Sequence, residues 1–267
     1  MKRILNTVLI LIFLVSFVPT FVSAKAVPNF DASQLKQDKA LVQYLFGQVD
    51  LRSPKIEIKF HNSKKNDFNS IVDHLTKLIL YDSNSDVHQI KVSSSYFVGV
   101  RHVDIKLDYR MTKEEHLKVI SWIREVMDPF LASNPPDEKK IRFINDTIVR
   151  KAEYDESFQK RSAYNMIYDG TALCEGYAYL GRLMLSYAKI ENRLIMGKAK
   201  NTDHVWNMVK YRGNWYHLDF TWNDPVYLGA AKDKNEVSYE YYMRSDESMR
   251  KTHSWKKEEY PSAAADL

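Results

Sequence analysis

Apolar positions along this chain keep two rhythms, and each change of rhythm marks an element. Leu35, Ala40, Leu41, Tyr44 and Leu45 fall on or near one face of a helix over 34–46. Ile56, Ile58 and Phe60 alternate with Glu57 and Lys59, which predicts a strand over 56–60. Asn66 or Asp67 can cap a helix running to 81, with Ile71, Leu75, Leu78 and Ile79 facing inward. Alternation returns over 90–98 and 103–109, with 99–102 as the connection. Together these elements predict a small α+β unit with an antiparallel sheet.

Thr112-Lys113-Glu114-Glu115 has the form of a capping box opening a helix to about 131, with Leu117, Ile120, Ile123 and Met127 at helical spacing. Asn134-Pro135-Pro136-Asp137 closes it and opens another, with Asn134 as N-cap and Pro135 at the first helical position. That helix carries Ile141, Ile144, Ile148 and Val149 and ends near 151. A domain boundary is expected here, dividing 25–133 from 134–267. Beyond it, 161–169 reads as a short helix or turn ending at Asp169-Gly170, and 175–190 as a helix. A strand over 193–199 follows, then a hairpin of 204–211 and 214–220 across Arg212-Gly213. Tyr239, Tyr241 and Tyr242 are expected to pack on that sheet, and 261–267 to fray.

The first residues have a different character. Met1-Lys2-Arg3 is basic, 4–18 is almost continuously apolar, and Val22-Ser23-Ala24 offers small residues. This predicts a secretory signal over 1–24. The competing reading is an uncleaved anchor, since the apolar run reaches about 20 residues. The expected location is secreted or wall-associated, with no stable membrane span after cleavage. Loss of Lys2 and Arg3 lowers the formal charge from +5 to about +3. A basic secreted protein suits an anionic surface such as a bacterial wall. No basic stripe with interleaved aromatics is present, so a nucleic-acid partner is not expected.

Composition adds one constraint. There is one cysteine among 267 residues, so no internal disulfide can form and stability must come from core burial, which 45% hydrophobic residues allow. That cysteine, Cys174, follows Gly170 by four positions and precedes an amphipathic helical pattern. A thiol in the first helical turn meets free N–H groups and the positive end of the macrodipole, which favour a thiolate. A buried small hydrophobe is the other reading of a lone cysteine. Downstream lie His204 and Asp219, at opposite ends of the predicted hairpin strands and therefore adjacent in space. Cysteine, histidine and aspartate can serve as nucleophile, base and orienter. His217 is a rival base, although it shares a strand with Asp219 at a spacing of two. Glu175 can tune the thiol or face solvent. His61, His74, His88, His102 and His116 do not share a helix face, and no loop has the carboxylate spacing of a calcium site, so no metal and no cofactor is expected.

Four blocks in order carry a resemblance: Ser162-Ala163-Tyr164, Cys174-Glu175-Gly176-Tyr177-Ala178, His204-Val205-Trp206-Asn207, and the run from Trp215 to Pro225. They resemble the transglutaminase-like superfamily, the bacterial secreted members most closely, over roughly 137–225. The resemblance implies a papain-like α+β core, with Cys174 as nucleophile, His204 as general base and acid, and Asp219 as orienter of the ring. The implied chemistry is a Cys174 thioester formed on a protein or peptide amide, cell-wall peptides included. An amine or water would resolve it. The Cys174 N–H is one candidate oxyanion donor, and Tyr164 or Tyr168 a second. The glutamine that papain-type proteases carry shortly before the cysteine is missing, and Gln159 lies too far upstream. Trp206, Trp215 and Trp222 are core or groove wall, with Trp206 and Trp222 the groove candidates. Three classes stay open: thiol acyltransferase, thiol peptidase or amidase, and a non-catalytic binding module of the same fold.

The export signal yields the first expectation. Mass spectrometry of the secreted protein should find its N-terminus at Lys25 or within a few residues. An intact Met1 in a membrane fraction would favour the anchor.

Overall fold

The computed structural model describes residues 27–83, 85–225 and 236–267, and the expected signal lies outside them. Strand β1 (Asn29–Asp31) pairs in parallel with β2 (Lys55–His61). Between them, Asp38 caps helix α1 (Lys39–Asp50) by accepting from the Ala40 and Leu41 N–H groups. Helix α2 (Phe68–Lys77) leads into a π-turn at Leu78–Asp82, so the helical run expected to 81 widens over its last turn. Strands β3 (Val87–Phe97) and β4 (Val100–Tyr109) complete a four-stranded sheet of order β1-β2-β4-β3. Their turn is tighter than the expected 99–102 connection. Val98 and Gly99 both take positive φ, the geometry of a two-residue hairpin loop.

Helix α3 (Lys113–Leu131) opens on the expected capping box, with Thr112 Oγ1 accepting from the Glu115 N–H and Glu115 Oε2 from the Thr112 N–H. Helix α4 spans Asp137–Lys151 and has Pro136 at its N-cap. The Asn134-Pro135 start is therefore corrected: Asn134 takes φ +48 and stays outside the helix, and Pro136 rather than Pro135 precedes the first turn. Strands β5 (Glu153–Tyr154) and β6 (Thr171–Ala172) form a short parallel pair ahead of α5 (Cys174–Tyr187). The second sheet holds β7 (Asn192–Ala199), β8 (Thr202–Tyr211) and β9 (Asn214–Leu218). After α6 (Asp246–Met249) comes β10 (His253–Ser254), which pairs antiparallel with β7 and sets the order β10-β7-β8-β9. Two-residue turns at Lys200-Asn201 and Arg212-Gly213 join its long strands.

This is the α+β architecture the patterns predict. One core gathers Leu41, Leu45, Ile58, Phe60, Ile71 and Leu75 between the first sheet and its helices. Another joins α3, α4 and α5 to the second sheet through Val119, Ile123, Ile144, Leu180, Met184 and Val209. By packing, α3 therefore goes with the C-terminal half, although the expected boundary at 133 places it with the N-terminal one. On the far face of the second sheet, Trp206 and Met208 pack with Trp222, Tyr241, Met249 and Ala263. Tyr241 meets the sheet as expected, whereas the Tyr239 hydroxyl reaches Asp146 on α4. The C-terminal residues are anchored and do not fray. Asp266 accepts from the Ser245 N–H at 2.6 Å, Asp246 from that of Ala263 at 3.1 Å, and the Leu267 N–H reaches the Met243 carbonyl at 3.0 Å. Among the described residues no helix is long and apolar enough to cross a membrane.

Close approach of α5 to the sheet depends on Gly181. A Cβ there would fall inside the Phe220 ring, which directly follows Asp219. Gly181→Ala should lose about 1–3 kcal/mol to overpacking, more than the ~1 kcal/mol alanine gains in helix propensity. Urea unfolding checks this. An unchanged midpoint would mean that α5 can move off Phe220 freely.

Candidate active site

Cys174 is positioned by the chain before it. Asp155 accepts from the Ser157, Gln159 and Lys160 N–H groups at 3.1, 2.9 and 2.8 Å, which folds 155–160 into a compact loop. That loop delivers the Lys160 carbonyl to the Leu173 N–H at 2.7 Å. Gly170, at φ +73, turns the preceding π-turn into β6, a conformation a side chain would resist. Leu173 is extended, so Cys174 becomes the first residue of α5 and its N–H has no intrahelical acceptor. Cys174 is 8% exposed. Its thiol sulfur lies 3.5 Å from Glu175 Oε2. Glu175 in turn pairs with Arg161 at 2.6 Å and Arg110 at 3.5 Å. Burial opposes charge on Glu175, but its own backbone N–H and the two guanidinium groups keep its carboxyl below the usual range. Glu175 is thus an ion-paired wall of the site and not a solvent-facing residue.

His204 lies near the start of β8, and Asp219 directly follows β9. As the hairpin register predicts, they meet: His204 Nε2 donates to Asp219 Oδ2 at 2.7 Å. The His204 ring also interacts with the Cys174 thiol. Burial disfavours charge on His204, yet the Asp219 carboxylate and the Cys174 thiol outweigh it and raise the imidazole to about 10. Asp219 is fully buried. Its carboxyl is held well below the usual range, because the two imidazoles bonded to it overcome the cost of burial. The second imidazole belongs to His253 on β10, whose Nε2 lies 3.1 Å from the same Oδ2. Sequence reasoning misses His253. A two-residue strand is too short for any periodicity, and Thr252-His253-Ser254-Trp255 has no local signature.

His204, Asp219 and His253 form the one group of metal-ligating type among the described residues. Their separations are those of direct hydrogen bonds, so Asp219 acts here as an acceptor for two imidazoles. His217 is committed elsewhere. Its Nδ1 accepts from Trp206 Nε1 at 3.0 Å and its Nε2 donates to Asp246 at 3.0 Å. Burial dominates its ionisation and lowers it to about 4, with Asp246 opposing in part. It is a neutral structural ring away from the thiol, which removes it as rival base.

Four weaker assignments are corrected. Trp206 and Trp222 are 0% and 1% exposed, so they are core beneath the imidazoles and not groove wall. Tyr164 and Tyr168 pack on one another, and the Tyr168 hydroxyl donates to the Lys118 carbonyl at 3.2 Å. Neither tyrosine borders the space above the thiol. Two motif residues tie α5 to the sheet. Asp224 accepts from the Tyr177 hydroxyl at 2.6 Å, and Asn207 Nδ2 donates to the Ala178 carbonyl at 3.1 Å.

Cys174 and His204 open into a cleft of about 840 Å³. Tyr154, Phe158, Met196 and Trp255 give it apolar walls, and its charges are mixed, with Arg110 and Arg161 paired to Glu175, and Lys198 and Lys256 on the same lining as Asp203 and Glu259. Residues 124–220, which hold Cys174, His204 and Asp219, match the family model of the transglutaminase-like superfamily. That segment is a transglutaminase-like core. The match begins inside α3, in keeping with the packing of that helix, and ends before His253. No curated protein matches the chain. Among solved structures, a crystal structure of a TGase is 12% identical over 72% of this chain and 59% of its own, with a TM-score of 0.37. The periplasmic domain of TgpA from Pseudomonas aeruginosa bound to ethylmercury is 12% identical over 46% of this chain and 55% of its own, at 0.31. The chain thus spans little more than half of each, and at these scores the superpositions carry no argument.

Two pH windows follow for the transglutaminase-like core. The His204 ring is raised, so its stabilisation is complete below the free value of about 6.5 and is lost as pH rises through about 10. His217 is lowered, so the unfolded chain binds the extra proton between about 6.5 and 4 and stability falls with pH across that window. The loss should total about 3 kcal/mol at most. Thermal unfolding against pH checks it: His217→Gln should flatten the slope between pH ~6.5 and ~4, and an unaltered slope would assign acid sensitivity to other groups.

Proposed function

We propose that this protein is a secreted thiol acyltransferase or amidase of the transglutaminase-like type, exported by cleavage of residues 1–24. Cys174, His204 and Asp219 act as nucleophile, base and orienter, and the substrates are protein or wall-peptide amides. The observation that carries the reading is the convergence of three distant side chains, Cys174 and His204 lining one cleft and Asp219 buried behind the imidazole. There a helix-terminal thiol adjoins an imidazole whose far nitrogen is fixed by a buried carboxylate at 2.7 Å.

The steps follow from the atoms. His204 Nε2 carries the hydrogen given to Asp219, so Nδ1 is the nitrogen that takes the thiol proton. The thiolate attacks the amide carbonyl carbon, and the developing oxyanion is met by the free Cys174 N–H. The imidazolium then protonates the departing amine as the C–N bond breaks, leaving a thioester. An incoming amine or water gives its proton to His204, attacks the thioester and releases the thiolate. The apolar cleft walls suit a polypeptide donor. Residues 25–133 contribute Arg110 to this wall, which gives the N-terminal region a share in substrate choice.

Transamidation or side-chain deamidation is preferred over backbone cleavage, on the family match and the missing papain-type glutamine. The mature protein, given a glutamine-containing protein and a labelled primary amine at mildly alkaline pH, should attach the label at glutamine and release ammonia. The donor chain should keep its length, and Cys174→Ala should abolish the labelling. New peptide termini that depend on Cys174, without amine incorporation, would transfer the protein to the peptidases.

A further inference from the structure

His253 lies outside the family match, is completely buried, and has no part in the steps above. Its geometry follows from an account of the Asp219 carboxylate. Oδ1 accepts from the Thr221 and Trp222 N–H groups at 3.0 and 3.2 Å. Oδ2 accepts from His204 at 2.7 Å and from His253 at 3.1 Å. An ionised carboxylate only accepts, and it has about four lone-pair sites, so every site is used. Both rings must therefore carry hydrogen on Nε2. On the other edge of His253, Nδ1 lies 2.8 Å from Thr252 Oγ1. Trp206, Trp222 and Tyr241 enclose the ring at centroid distances of 5.0, 4.7 and 5.5 Å, and its strand is held in register with Ala199. The cage leaves it one orientation.

We infer that His253 is a positioning residue which, by donating to the oxygen that also holds His204, divides the Asp219 charge between two imidazoles and so sets the basicity of His204. The inference rests on the reading of Cys174, His204 and Asp219 given above. Two donors on one oxygen each receive a weaker bond than one donor would. With His253 present, Asp219 orients His204 without binding its proton so strongly that release to a leaving amine is slowed. The ionisable groups around His253 are Asp219, His204, His217 and Tyr241, with the Lys200 ammonium over the Trp222 ring. Burial keeps His217 and Tyr241 neutral between pH 6 and 9. In that range Asp219 and His204 are the charged partners that a change at His253 reaches.

The test reads His204 directly. Its ring nitrogens are titrated by ¹⁵N NMR in the full chain, with His204→Gln as the assignment control, and iodoacetamide labelling of Cys174 is followed over the same pH range. In His253→Phe, which fills the cage and donates nothing, the His204 inflection should rise by about 0.5 pH unit or more. The alkaline inflection of Cys174 labelling should move with it. His253→Gln, which restores an N–H donor, should return both toward the parent. His253→Leu serves as a second non-donor. Identical His204 titrations in the parent and in a folded non-donor variant would overturn the inference. Should both non-donors fail to fold, His253→Asn takes their place, because its shorter amide falls at the Nδ1 position and short of Oδ2, and an unchanged His204 titration in that variant would overturn the inference equally. If His204→Gln leaves the Cys174 labelling profile unchanged in the parent background, the thiol–imidazole reading itself fails and the inference falls with it. A profile that tracks His204 yet ignores His253 condemns only the positioning role.

Discussion

A fully buried carboxylate is the constraint on which the C-terminal half depends. Asp219 remains charged in the interior because two backbone N–H groups and two imidazoles surround it. Removing one partner from a buried charge costs about 3–5 kcal/mol, so the elements that supply the donors cannot shift independently. The turn after β9 supplies the backbone donors, β8 supplies one ring, and β10 the other. The sheet order β10-β7-β8-β9 is the arrangement that brings these three segments to one point. The same burial that makes the charge costly also excludes the water that would weaken its hold on His204.

The thiol is held to this arrangement by a second set of contacts. Gly181 lets α5 approach Phe220, Tyr177 bonds to Asp224, and Asn207 bonds to the α5 backbone. Each joins the helix bearing Cys174 to the strand or turn bearing His204 or Asp219. The N-terminal region touches the same helix. The Tyr179 hydroxyl reaches the Val87 carbonyl at 3.4 Å and Arg182 the Leu80 carbonyl at 3.3 Å, while Arg110 pairs with Glu175. The region without family resemblance is thus in contact with the helix that presents the thiol.

Much of this was legible in the sequence because local rules govern it. The Thr112–Glu115 box, the Arg212-Gly213 turn and the alternation along β8 each encode their own geometry, and the hairpin register alone was enough to bring His204 to Asp219. The failures are equally physical. Trp206 and Trp222 look like groove residues by type, but their place on the sheet face that the C-terminal segment covers decides their burial. His217 resembles a base until Trp206 and Asp246 are seen to occupy both of its nitrogens. Asn134 has the chemistry of a cap, yet the second proline shifts the helix start beyond its reach. The anchored C-terminus and His253 depend on pairings across tens of residues, for which a stretch of Ser, Thr and charged side chains has no periodicity.

The pairing of β10 with β7 has a temporal consequence. His253 follows Asp219 by 34 positions, whereas His204 precedes it by 15. A chain leaving the ribosome N-terminus first presents Cys174, then His204, then Asp219, and only later the strand that closes the sheet edge. Until then the carboxylate lacks one of its four donors and the edge of β7 is open. The site therefore matures late in synthesis, and until the last strand arrives the thiol stands beside an incompletely held imidazole. A chain arrested before β10 would carry every residue of the family core and still lack the finished site.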